Sequence, residues 1–133
     1  SSSAASDVYK RQLFVDGKAT LDWQARAGEL SKPAAKVALN MVLVAAESLL
    51  RGGTVTVAIT PRNGGVAIEV EARGDRVLVV EGVQKALAGE IGLDALEPKT
   101  APAWLSREIA TEAGGRISVT TGDGRLTLSA DLP

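Results

Sequence analysis

The chain of 133 residues contains neither cysteine nor histidine. Without thiols there are no disulfides, thiolate nucleophiles, zinc–thiolate centres or iron–sulfur clusters, a composition that fits a reducing compartment. Without imidazole, a Ser-His-Asp triad, a histidine metal ligand and a phosphohistidine are all excluded within these residues. Aromatic residues make up only 3%, too few for the stacking platforms that hold single-stranded nucleic acid. Neither sign of charge is in excess: Lys+Arg number 15 and Asp+Glu 16, a net charge of −1, so there is no polybasic arm and no acidic tail. No nucleic-acid partner is expected. Long hydrophobic runs are missing too. The longest, from Val37 to Ala46, is interrupted by Asn40 and falls well short of the roughly 20 residues that cross a bilayer, so no membrane segment is expected. What is present is 45% hydrophobic residues in a length suited to one core.

Residues 1–12 read SSSAASDVYKRQ, a small polar run and a charged piece with no apolar region of the kind a secretory signal needs. The string Asp7-Val8-Tyr9-Lys10-Arg11-Gln12 resembles the translated end of a transposase-based sequencing adaptor. Residues 1–12 are therefore expected to be a non-native or disordered leader, with the native N-terminus missing and residues 13–133 forming the domain. A disordered native tail is the alternative reading of the same composition.

Along the domain, Thr20-Leu21-Asp22-Trp23-Gln24-Ala25 alternates, which puts Leu21, Trp23 and Ala25 on the inner face of a half-buried strand. Ser31-Lys32-Pro33 supplies an N-cap and a first-turn proline, and Gly52-Gly53 a stop, so the pattern predicts a helix from Lys32 to Leu50. That helix is apolar nearly all round, through Val37, Ala38, Leu39, Met41, Val42, Leu43, Val44, Ala45, Leu49 and Leu50, and is expected to pack against a sheet with much of its circumference covered. Its polar residues Lys36, Asn40, Glu47 and Arg51 align in one stripe, with Val44 beside Asn40 and Glu47. Strands at Thr54–Thr60 and Val66–Glu71 are joined across Arg62-Asn63-Gly64-Gly65, where Asn-Gly is the strongest short hairpin signal. Gly74 to Leu96 holds a short extended piece at Val77–Val80 and a short helix around Val83–Ala88. A helix from Ala101 to Ala113 is entered past Pro98 and Pro102 and closed by Gly114-Gly115. A second hairpin joins Arg116–Thr121 to Arg125–Asp131 across Gly122-Asp123-Gly124. The expected fold class is α+β, a two-layer sandwich with a mostly antiparallel sheet covered on one face by helices.

An apolar helix with an internal Asn, a hairpin, a loop, a helix ending in Gly-Gly and a closing hairpin, in that order, resembles the Bergerat-type ATP-binding domain of histidine kinases. The strings Thr20-Leu21-Asp22-Trp23-Gln24, Lys32-Pro33, Val37-Ala38-Leu39-Asn40, Ala45-Ala46, Gly52-Gly53-Thr54-Val55 and Ala113-Gly114-Gly115 resemble, more narrowly, the C-terminal domain of alphaproteobacterial histidine phosphotransferases of the ChpT type. In the kinases a second Asn four residues after the first holds magnesium; this chain has Val44 there, with no oxygen to offer. An Asp-x-Gly-x-Gly loop binds adenine; this chain has Ala72-Arg73-Gly74-Asp75-Arg76. A glycine-rich loop cradles the phosphates with backbone N–H groups; this chain has Pro98-Lys99-Thr100-Ala101-Pro102-Ala103, and each proline deletes a donor. The resemblance thus implies a domain that has lost nucleotide binding, with no cofactor and no metal. It implies a cytoplasmic phosphorelay protein, dimeric through a helical hairpin N-terminal to this domain. The hairpin's histidine takes a phosphoryl group from the receiver domain of a hybrid kinase and passes it to response regulators. Leu13-Phe14-Val15 would be the remnant of that hairpin. The rival readings are a divergent, active nucleotide-binding kinase domain and a stand-alone adaptor that binds receivers.

Candidate docking residues are Trp104, Lys36, Asn40 and Glu47. The stripe reads more readily as the solvated side of a packed helix, and Trp104 equally as an interface anchor or as core. Trp23 is expected in the core. Asp75, Glu81, Glu90, Asp94 and Glu97 form an acidic region without calcium-loop spacing, read as solvated carboxylates. Ser106 has no histidine to activate it. No residue is assigned a catalytic role.

Overall fold

A computed structural model describes residues 19–25 and 30–133. The expectations for the leader 1–12 and for Leu13-Phe14-Val15 therefore lie outside the described residues. The elements are β1 (Ala19–Ala25), α1 (Lys32–Ser48), β2 (Gly53–Arg62), β3 (Gly65–Arg73), α2 (Glu81–Leu87), a 3-10 turn at Leu93–Ala95, α3 (Ala101–Glu112), β4 (Arg116–Gly122) and β5 (Arg125–Leu132). Among the described residues, five strands form one sheet in the order β1-β2-β3-β5-β4. β1 runs parallel to β2, with α1 as the crossover that a parallel pair requires, and the other pairs are antiparallel. The mostly antiparallel two-layer α+β architecture is the one the sequence pattern predicts.

Local chemistry sets the element ends. Ser31, in extended backbone, accepts the Ala34 N–H on its hydroxyl at 3.3 Å, and Pro33 fills the first turn. The hairpin between β2 and β3 turns on Asn63 and Gly64, at φ 48° and 84°; both values are positive, as a type I′ turn demands. At the end of α3 the Gly115 N–H reaches back to the Ala110 carbonyl at 2.7 Å and Gly114 N–H to Thr111 at 3.0 Å, a Schellman closure that places Gly114 in the left-handed region.

α1 ends at Ser48, two residues short of the predicted Leu50. The cause is competition for its last backbone groups. Leu78 donates to the Ser48 carbonyl at 2.8 Å, Leu50 donates to Arg76 at 3.1 Å, and Leu49 forms an isolated antiparallel bridge with Val77. The predicted extended piece at Val77–Val80 thus exists as a strap over the helix end and joins no sheet.

The core lies between the sheet and the helices. Val55, Val57 and Ile59 of β2, Ile68, Val70 and Ala72 of β3, and Leu126, Leu128 and Ala130 of β5 face Val37, Met41 and Ala45 of α1. Trp23 and Leu21 are partly buried against this core, while Ala25, expected on the same face, is exposed.

One expectation for α1 is corrected. Leu39, Leu43 and Leu50 are 45%, 49% and 50% exposed. α1 packs on the sheet and, to its side, on α3, which leaves an outward sector uncovered. At 100° per residue, Leu39 and Leu43 flank Lys36 and Glu47 in that sector, and Leu50 follows in the turn beyond the helix end. A helix whose apolar residues outnumber the positions on its buried faces must show some to solvent. Leu43→Ala is accordingly expected to change stability by less than about 0.5 kcal/mol in urea denaturation; a loss of core size would place Leu43 inside.

Candidate functional site

The uncovered sector of α1 opens onto a groove of about 250 Å³. Its walls are Val44 and Leu50 from α1 and its C-terminal turn, Leu78 and Val80 from the strap, and Val83 from α2, with Leu126 of β5 below. Glu47 and Lys99 are its charged members, and both are exposed. The strap forms one wall because its backbone bonds to Ser48 and Leu50 hold it against the helix end. Leu78 and Val80 are 52% and 41% exposed there, so they extend the apolar surface of Leu43 and Leu50 across the groove.

The four residues singled out from sequence separate. Glu47 lines this groove, with Lys99 opposite in charge. Lys36 lies toward the other end of α1, in a groove of about 280 Å³ that it shares with Lys32, Ile109 and Glu112. Asn40 donates one of its two side-chain amide N–H groups to the Lys36 carbonyl at 2.9 Å, a bond made within its own helix. Trp104 is partly buried on α3 and packs against the core, intermediate between the two readings offered for it. Arg51 falls in the turn after α1. The leucines were the residues missed. Their signal was the excess of apolar positions on α1, which pattern reasoning assigned wholly to the core.

Other candidates resolve as ordinary structure. Ser106 is fully buried and donates its hydroxyl to the Pro102 carbonyl at 2.8 Å. Glu81 pairs with Lys85 at 3.2 Å one helical turn away. Among the described residues no three acidic side chains gather as a metal site would need. A polar cleft of about 470 Å³ contains Arg62, Arg116 and Asp131, but Asp131 already meets Arg62 at 3.3 Å and Arg116 at 3.8 Å, an exposed ion-pair network worth little. No described helix is long and apolar enough to cross a membrane.

A five-stranded sheet with helices on one face and a groove between the first long helix, the strap and the residues before α3 defines the histidine-kinase ATPase-like fold. The histidine kinase domain of the Erythrobacter litoralis EL346 blue-light activated kinase is superposable with a TM-score of 0.69 at 15% identity, covering 96% of this chain and 57% of that one. The catalytic domain of the histidine kinase ThkA, nucleotide free, gives 0.69 at 14% identity, with 95% and 86% covered. A bacterial phosphotransferase solved at 1.7 Å gives 0.81 at 21% identity, with 97% of this chain and 62% of that chain covered. The chain thus spans less than two thirds of that phosphotransferase's length. No curated protein matches. The family model for the histidine phosphotransferase C-terminal domain matches residues 6–125, and the chain belongs to that family.

Proposed function

We propose that this domain is the supporting and docking half of a cytoplasmic histidine phosphotransferase in a His–Asp phosphorelay, working without nucleotide. Its partners in this reading are the receiver domains of a hybrid kinase and of response regulators. The phosphoacceptor histidine sits on a dimerising helical hairpin N-terminal to the domain.

The observation that carries the reading is the lining of the groove at the end of α1. A Mg²⁺-nucleotide needs hard oxygen ligands and N–H groups aimed at phosphate. Val44, Leu50, Leu78, Val80 and Val83 supply neither, the Ser48 hydroxyl is turned to the Ala45 carbonyl, and the polar remainder is one exposed carboxylate, Glu47, and one exposed ammonium, Lys99, which favours a reading without nucleotide. Where a flexible glycine loop would close over phosphates, Pro98 to Ala103 instead forms a turn and the start of α3. The Thr100 hydroxyl donates there to the Glu97 carbonyl at 3.1 Å. The same apolar surface, continued by the exposed Leu39 and Leu43, suits protein docking, where desolvated aliphatic side chains supply the binding energy.

Two titrations test this. A fluorescent ATP analogue with Mg²⁺ is expected to show no saturable binding at micromolar concentrations; saturation would establish the active-kinase alternative. A receiver domain added to the isotope-labelled chain is expected to shift the amides of Leu39, Leu43, Leu50 and Leu78, with Leu43→Glu weakening the effect at least tenfold. Unperturbed spectra would show that the domain docks no receiver by itself.

A further inference from the structure

The outer edge of the sheet at β4 is built in a way that single-chain proteins ordinarily avoid. Edge strands expose unpaired N–H and C=O groups, and natural edges are usually blunted by lysines, proline, bulges or very short strands. β4 has none of these across Ile117-Ser118-Val119-Thr120-Thr121, a stretch without charge, proline or glycine that is dominated by β-branched residues. The opposite edge strand, β1, carries Asp22 at its centre.

Which backbone groups face outward follows from the ladders. Gly74 donates to the Gly124 carbonyl at 3.1 Å, one step beyond the paired Arg73 and Arg125. That bond sets the alternation: Leu126, Leu128 and Ala130 turn their backbone groups toward β3, and Arg125, Thr127, Ser129 and Asp131 toward β4. Their partners are Gly122, Thr120, Ser118 and Arg116. The N–H and C=O groups of Ile117, Val119 and Thr121 therefore point away from the sheet, and no described residue bonds to them.

We infer that β4 is a self-pairing edge, occupied by β4 of a second copy of this chain in an antiparallel, two-fold arrangement centred on Val119. Three features select this occupant. A two-fold axis at Val119 makes all three outward residues productive: Val119 meets Val119 of the partner subunit and Ile117 meets Thr121 of the partner subunit, about six backbone hydrogen bonds in all. The same register sets Ser118 against Thr120 on the open face and keeps Arg116 opposite Gly122, so the end cations do not face each other. On the helix side Ile117, 8% exposed, and the half-buried Val119 add apolar contact across the new junction. Such an edge buries far less than the roughly 1,200 Å² of a stable interface, so the association is weak and strongly concentration-dependent. It requires neither nucleotide nor a receiver domain.

Sedimentation and amide-exchange measurements on the full chain, from about 10 μM to about 1 mM, cover the range expected of so small an interface. The expected result is an average mass climbing toward the dimer, with the amides of Ile117, Val119 and Thr121 gaining protection as concentration rises. Val119→Pro deletes one outward N–H and leaves the β5 ladder intact; it is expected to weaken association at least tenfold. Should that variant misfold, Ser118→Lys brings two cations together beside the axis and is expected to do the same in a salt-dependent manner. Leu43→Glu is expected to leave association unchanged. A chain that stays monomeric to 1 mM overturns the inference. So does association that survives Ser118→Lys or is lost in Leu43→Glu, or protection of these amides that needs an added peptide.

Discussion

Leu128→Ala is expected to lower the unfolding free energy by about 2–5 kcal/mol, the range for emptying a well-packed aliphatic site. Leu128 is fully buried in β5, beside Val70 of β3 and Val119 of β4. Its side chain points at the helices. How much of the cavity can close decides where in the range the cost falls. The backbone of β5 is bonded on both flanks, so the strand cannot move inward, and relief must come from α1. That helix is fixed by its own cap and by the strap at its other end, which argues for the upper half of the range. Thr127, one residue earlier, faces the open side of the sheet, and Thr127→Ala is expected to cost less than about 1 kcal/mol. Urea denaturation of both variants, with the wild-type slope retained, checks the pair. Equal losses would mean that the two faces of β5 are not distinguished.

Most of the architecture was legible because it rests on local signals. Ser31 followed by Pro33, Asn63-Gly64 and Gly114-Gly115 each specify one backbone geometry, and each appears where the pattern predicts it. The period-two alternation in β2, β3 and β5 gives the inner face directly, since a strand with one covered face cannot shift register without inverting every side chain. The end of α1 was not legible. Nothing in Leu49-Leu50 discourages helix, and the helix stops because Arg76 and Leu78, far along the chain, take up its last backbone groups. The groove was only half legible for the same reason. That Val44 offers no oxygen can be read from a single position, whereas the apolar lining depends on bringing Leu78, Val80 and Leu126 to it through tertiary contacts. Leu39 and Leu43 were misplaced because periodicity identifies the apolar positions of a helix without saying how many of its sides are covered.

Gly53→Ala is expected to cost roughly 3 kcal/mol or more, combining strained backbone with overlap that cannot relax. Sequence reasoning paired Gly53 with Gly52 as a helix stop. In the structure it opens β2 at φ 144°, a region that side chains rarely adopt. An added methyl group would overlap the Arg73 carbonyl oxygen and crowd the Arg73 carbonyl carbon and the Gly74 Cα, each at 3.0 Å. These are all backbone atoms. Arg73 is held in register on both sides by Thr54 and Arg125, so it can retreat only by breaking ladder bonds. Gly64 provides the control: it sits at φ 84° in the hairpin turn with nothing within 4 Å of a methyl group, and Gly64→Ala is expected to cost about 1–2 kcal/mol from backbone conformation alone. The difference between the two variants in denaturant measures the overlap separately from the strain. If Gly53→Ala costs no more than Gly64→Ala, the contact between the start of β2 and the end of β3 is looser than the ladder requires. The strap and groove that follow Arg73 would then lose their fixed point of attachment.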